Sequence, residues 1–122
     1  ISETVMCGPA ALSAVCNNFG LNVSVETIAR LAGTRETGTT MYGLATAART
    51  IGCNAVGMNL SFAELKNHEN SCIAHLKPDH FIAVNAIGHD TITFSDQTGT
   101  NREMSVREFL GKWDGNVLII SR

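Results

Sequence analysis

Clusters of basic residues, long apolar runs and closely paired cysteines are all missing from this chain. Nine Lys and Arg stand against eleven Asp and Glu, a net charge of −2 over 122 residues. A phosphate backbone requires an electropositive face, so nucleic acid is not an expected partner. No apolar stretch approaches the ~18 residues that cross a bilayer, so direct membrane insertion is not expected either. With two prolines and 44% hydrophobic residues, the composition excludes collagen and intrinsic disorder. Cys7, Cys16, Cys53 and Cys72 are too few for a disulfide scaffold, and none forms a Cys-x-x-Cys pair. The most metal-like string, Cys72-x2-His75-x4-His80, is split by strand alternation and by Pro78. No metal or other cofactor is therefore expected. A Cys53–Cys72 disulfide would require an oxidising compartment. The first residue is Ile and no signal peptide precedes it, which reads as a domain excised from a larger parent protein or a processed product.

What remains suffices for one domain, residues 1–122, with a core of its own. From Pro9 to Phe19, Leu12, Val15, Cys16 and Phe19 form the apolar stripe of a helix, opened by Gly8-Pro9 and closed by Gly20. A second helix follows Ser24 and ends before Gly33; a third runs from Met41 to Ile51, between a Gly/Thr-rich loop and Gly52. The period then changes. Strands are predicted at Cys53–Leu60, Cys72–Leu76, His80–Ile87, Thr91–Asp96 and Val117–Ile120. Ser61-x-x-Glu64 and Ser105-x-x-Glu108 read as capping boxes opening short helices, and Asp114-Gly115 as a turn. Helices first and strands later predict an α+β domain, its N-terminal helices packed on an antiparallel sheet.

Cys7 lies just before the first helix, where the helix dipole and unpaired N–H groups favour thiolate. Position alone leaves two readings of it, an activated nucleophile or a small buried hydrophobe. A three-residue loop at Gly88-His89-Asp90 would pair Ile87 with Thr91, Val84 with Phe94 and Ile82 with Asp96. His80 and Asp96 then become diagonal neighbours at the open end of an otherwise apolar face, where a carboxylate can orient an imidazole. Packing the first helix on that face would bring Cys7 toward them. A structural histidine held by a carboxylate is the other reading of this pair. His75, flanked by Ala74 and Leu76, reads as a core residue; His68 and His89 read as surface, and Asp79 and Asp90 as turn formers.

The runs Cys7-Gly8-Pro9-Ala10-Ala11-Leu12, His80-Phe81-Ile82-Ala83-Val84 and Ser95-Asp96-Gln97 resemble the peptidase C39 family, as does the ending Phe109…Trp113-x-Gly115-x-Val117-Leu118-Ile119. The resemblance covers essentially the whole chain, with the motifs in order. It implies a papain-like cysteine peptidase with Cys7 as nucleophile, His80 as general base and acid, and Asp96 as the orienting carboxylate. It also implies a peptide or protein substrate, and for members on bacteriocin-exporting ABC transporters cleavage after a double glycine in a narrow cleft.

One departure stands out. The family typically carries Gln six residues before the Cys as an oxyanion donor, and here that position is Ile1. Losing such a donor costs roughly 2.7–4 kcal/mol of transition-state stabilisation. The alternatives to a peptidase are a catalytically impaired peptide-binding module and an acyl transferase using the same thiol. The chain carries no transporter segment, so a membrane transporter is one expected parent and a stand-alone version another.

Overall fold

The computed structural model describes residues 3–122, with side chains from Val5 onward. After a single turn at Glu3–Met6 come α1 (Cys7–Asn18), α2 (Val25–Ala32) and α3 (Met41–Ile51). Then follow β1 (Asn54–Asn59), α4 (Phe62–Lys66), β2 (Ser71–Leu76), β3 (His80–Ile87), β4 (Thr91–Asp96), β5 (Gly99–Ser105), α5 (Val106–Lys112) and β6 (Trp113–Ser121). The six strands form one sheet in the order β1-β6-β2-β3-β4-β5. Every neighbouring pair is antiparallel. This is the expected α+β architecture.

Local chemistry sets most boundaries. Ser24, Thr40, Ser61 and Ser105 each accept an N–H bond from the first turn of the helix they cap. At Ser61 the capping box is complete, because Glu64 also accepts from the Ser61 N–H. Gly33 and Gly52 end α2 and α3 in the left-handed conformation that a side chain would strain. The first helix, however, begins at Cys7 itself, with Met6 at the cap offering no side-chain bond.

The sheet separates two cores. On one face α1 to α3 cover Ile73, Phe81, Ala83, Leu118 and Ile120. On the other, α4, α5 and the start of β6 bring Leu65, Phe109 and Trp113 onto Cys72, Leu76, Ile82, Ile92 and Phe94. The expected side of α1 is thereby corrected. It packs on the Phe81/Ala83 face, and the Ile82/Phe94 face is covered by α5, whose Phe109 ring stacks on Trp113 at the start of β6 in that core. Ser95, on the Phe81/Ala83 face, is consequently buried under the helices and accepts from Asn85.

The hairpin register is half as expected. Val84 pairs with Phe94, but a bulge after Val84 shifts the turn end so that Ile87 opposes Ile92, not Thr91. The extra residue is absorbed by a wider loop, closed by Gly88 N–H donating to the Thr91 carbonyl. Asp114-Gly115 is not a turn between elements. It lies inside β6, where Gly115 holds a positive φ of 89° and its carbonyl accepts from Leu60 N–H. β5 was not anticipated at all. A Cys53–Cys72 disulfide is excluded by the layering, since Cys53 belongs to the core under α1–α3 and Cys72 to the other. All four cysteines are free and buried.

Candidate active site

The ends of β2, β3 and β4 and the start of β6 meet at one rim of the sheet, and the first residue of α1 arrives there from the three-helix side. His80 opens β3 and Asp96 closes β4. His80 Nε2 lies 3.1 Å from Asp96 Oδ2, with the carboxylate side chain only 4% exposed. The second carboxylate oxygen accepts from Thr98 twice, from the backbone N–H at 2.9 Å and from Oγ1 at 2.6 Å. Burial pushes the Asp96 carboxyl up, but the Thr98 donors and His80 outweigh it and hold the group below its ordinary range. Asp96 is therefore ionised at neutral pH and occupies Nε2, leaving Nδ1 as the free nitrogen of His80.

Cys7 reaches the same strand end from the other face. Its Sγ donates to the Asp79 carbonyl at 3.9 Å. Burial pushes the Cys7 thiol up, the Phe81, Gly8 and Cys7 backbone N–H groups pull it down, and the Asp96 charge adds to the upward push. The net displacement is upward, which corrects the expectation of a thiol depressed by the helix start: desolvation at this depth exceeds what the N–H groups return. Sγ thus contacts the backbone carbonyl that immediately precedes His80. The structure joins His80 to Asp96 directly and brings Cys7 to the backbone flanking His80; the sulfur's own hydrogen bond goes to Asp79. The position expected to supply the oxyanion donor, Ile1, lies outside the described residues.

Cys7 opens into a cavity of about 720 Å³, within the range of ligand sites. Its walls include the Glu36–Thr40 loop, Asp79, Phe81, and a pair that sequence reasoning missed, His75 and Asp114. His75 was expected in the core because Ala74 and Leu76 flank it. Those neighbours do face the core beneath α5, but His75 alternates to the opposite face, where the helical layer stops short of the rim. Its Nδ1 lies 2.5 Å from Asp114 Oδ2, and its ring meets Phe81 with centroids 5.1 Å apart. The same alternation sends Cys72 into the core below, so Cys72, His75 and His80 do not converge on a metal position.

Comparison with known proteins agrees with the fold. The model of the peptidase C39 family matches residues 2–122. An uncharacterized protein of Methanothermobacter marburgensis is 36% identical over 99% of this chain and 85% of its own length. The lactococcin-A transport/processing ATP-binding protein LcnC of Lactococcus lactis is 29% identical over 94% of this chain, which spans only 17% of that transporter. Among solved structures, the peptidase domain of Streptococcus ComA, a bifunctional ABC transporter, superposes with a TM-score of 0.88 at 23% identity, over 99% of this chain and 94% of that one. A double glycine motif protease from an AMS/PCAT transporter, solved with its leader peptide, gives 0.90 at 24% identity, over 99% and 87%. The fold is that of these peptidase domains, and the chain belongs to the peptidase C39 family.

Proposed function

We propose that this chain is a cysteine peptidase that hydrolyses a peptide bond with Cys7, His80 and Asp96, after a Gly-Gly-type leader sequence. The observation that carries the reading is the placement of Cys7 Sγ against the backbone carbonyl next to His80, whose ring is engaged by an ionised Asp96. Family membership and the leader-processing transporters among its relatives support a peptide substrate.

The chemistry follows from which atoms are free. Asp96 accepts the Nε2 proton and leaves the Nδ1 lone pair to take the proton of the Cys7 thiol. The thiolate attacks the scissile carbonyl, and His80 returns the proton to the leaving amine as the C–N bond breaks. Water then attacks the thioester with His80 again as base, and Asp96 stabilises the imidazolium formed in each step. The Cys7 backbone N–H serves as one oxyanion donor.

The test is cleavage of a Gly-Gly leader peptide followed by mass spectrometry. A free acid ending in Gly-Gly, lost in Cys7→Ala and His80→Ala, is the expected product. Peptide binding without turnover in the wild type would identify a binding module, and an amine adduct in place of the acid a transferase.

A further inference from the structure

The pair His75–Asp114 is left unused by the catalytic reading, yet it shares a cavity with Cys7. His75 is held from two sides, by Asp114 through Nδ1 and by the Phe81 ring, so Nε2 is the nitrogen left for a ligand. Both Asp114 oxygens are occupied, Oδ2 by His75 and Oδ1 by the Asn116 N–H at 3.0 Å. Burial pushes the Asp114 carboxyl up, while the Asn116 N–H and His75 bring it below its ordinary range. In the neutral tautomer of His75 whose Nδ1–H donates to Asp114, Nε2 presents a lone pair. Glu36 from the loop before α3 and Asp79 beside Cys7 are two further acidic residues of the walls. Among the described residues no Lys or Arg lines this space, while Val5, Met41 and Phe81 give it apolar surface.

Such a lining suits a side chain with an apolar stem and a cationic, hydrogen-bond-donating head. A peptide whose scissile carbonyl lies at Cys7 Sγ must lay a flanking residue in the cavity that Cys7 lines. We propose that this cavity is the subsite for an arginine or lysine near the scissile bond but outside the Gly-Gly pair, with His75 and Glu36 as specificity-determining residues; the assignment rests on Cys7 being the peptidase nucleophile.

Binding and cleavage separate the two ideas. The probes are acetylated, amidated Ala-Ala-Ala-Gly-Gly-Ala-Ala-Ala peptides in which one alanine at a time becomes Arg, norleucine or Glu. Dissociation constants are measured on Cys7→Ala, so turnover plays no part. At one position Arg is expected to bind at least tenfold tighter than norleucine, with Glu weakest. Glu36→Lys, a change on an exposed loop, is expected to reverse the Arg-over-Glu order, and His75→Gln to shrink the Arg-over-norleucine ratio at unchanged melting temperature. Equal binding of all three series, absence of binding by any of them, or a preference untouched by both substitutions overturns the subsite. Arg-selective binding with no cleavage by the wild type retires the peptidase reading and keeps the subsite; cleavage indifferent to Arg does the reverse.

Discussion

Two histidine–aspartate pairs stand at the same rim of the sheet and differ in which ring nitrogen the carboxylate takes. Asp96 holds His80 by Nε2, with its own side chain almost wholly enclosed and doubly bonded by Thr98. Asp114 holds His75 by Nδ1, and both partners are about one-fifth exposed, at 21% and 23%. One pair leaves Nδ1 free beside the backbone that Cys7 touches; the other leaves Nε2 free in the cavity. A histidine bonded to an aspartate is therefore no signature of catalysis by itself. The nitrogen left over, and what stands in front of it, assigns the work.

The sharpest way to break this comparison is to delete each imidazole in turn. His80→Ala is expected to lower kcat/KM for a Gly-Gly leader peptide by about 10³-fold or more, as loss of a general base does. His75→Ala is expected to act mainly through KM and substrate preference, with a kcat loss at least ~100-fold smaller; the opposite ranking would exchange the roles of the two pairs. Next in size is the carboxylate. Asp96→Asn should cost about 10²–10⁴-fold in kcat by upsetting the tautomer of His80, and Asp114→Asn far less.

A smaller effect concerns acid stability, measured as urea midpoints from pH 7 down to pH 3. Both carboxyls lie below their ordinary range in the folded chain. Each therefore contributes stability above the unfolded Asp value of ~3.9 and loses it as pH falls through its lowered native value. Asp96→Asn and Asp114→Asn should each flatten the fall of the midpoint below about pH 4, and curves parallel to wild type would remove this linkage. The smallest change is Thr98→Val, which deletes one of the two Thr98 donors to Asp96. The acidic limb of the kcat pH profile should move to higher pH, and no movement would mean that the remaining N–H suffices.

Where side-chain chemistry is local, the sequence was informative. α2, α3, β3, β4 and the start of α5 fall where caps, glycines and alternation put them, and the pairing of Val84 with Phe94 carried through to the His80–Asp96 bond. What failed required knowledge of the partner. Both faces of β3 are apolar, so nothing in its pattern says which one receives α1. β5 is a polar, largely exposed edge strand, Thr100-Asn101-Arg102-Glu103, without the apolar alternation that marks a half-buried one. His75 carried a usable signal. It shares strand parity with Ile73 and pairs with Phe81, which placed it on the face that α1 reaches, but where the helical layer ends is set by packing alone. The Cys7 thiol failed for a similar reason, since the helix start was legible and the depth of burial was not.

The loop that carries Glu36 is fixed at its base and free at its tip. Gly33 turns the chain out of α2, the Thr34 and Thr39 hydroxyls bond at 2.7 Å, and Arg35 and Gly38 bridge through their backbones. On the far side, a Cβ on Gly43 would strike the Ala32 carbonyl, so α2 and α3 are clamped at their closest approach. Glu36 and Thr37, by contrast, are exposed at the tip and line the cavity. On the subsite proposed above, shape and selectivity would be written in different residues of one short segment. A relative could exchange residues 36 and 37, and with them the peptides it accepts, while the frame that holds the cleft open stays as it is.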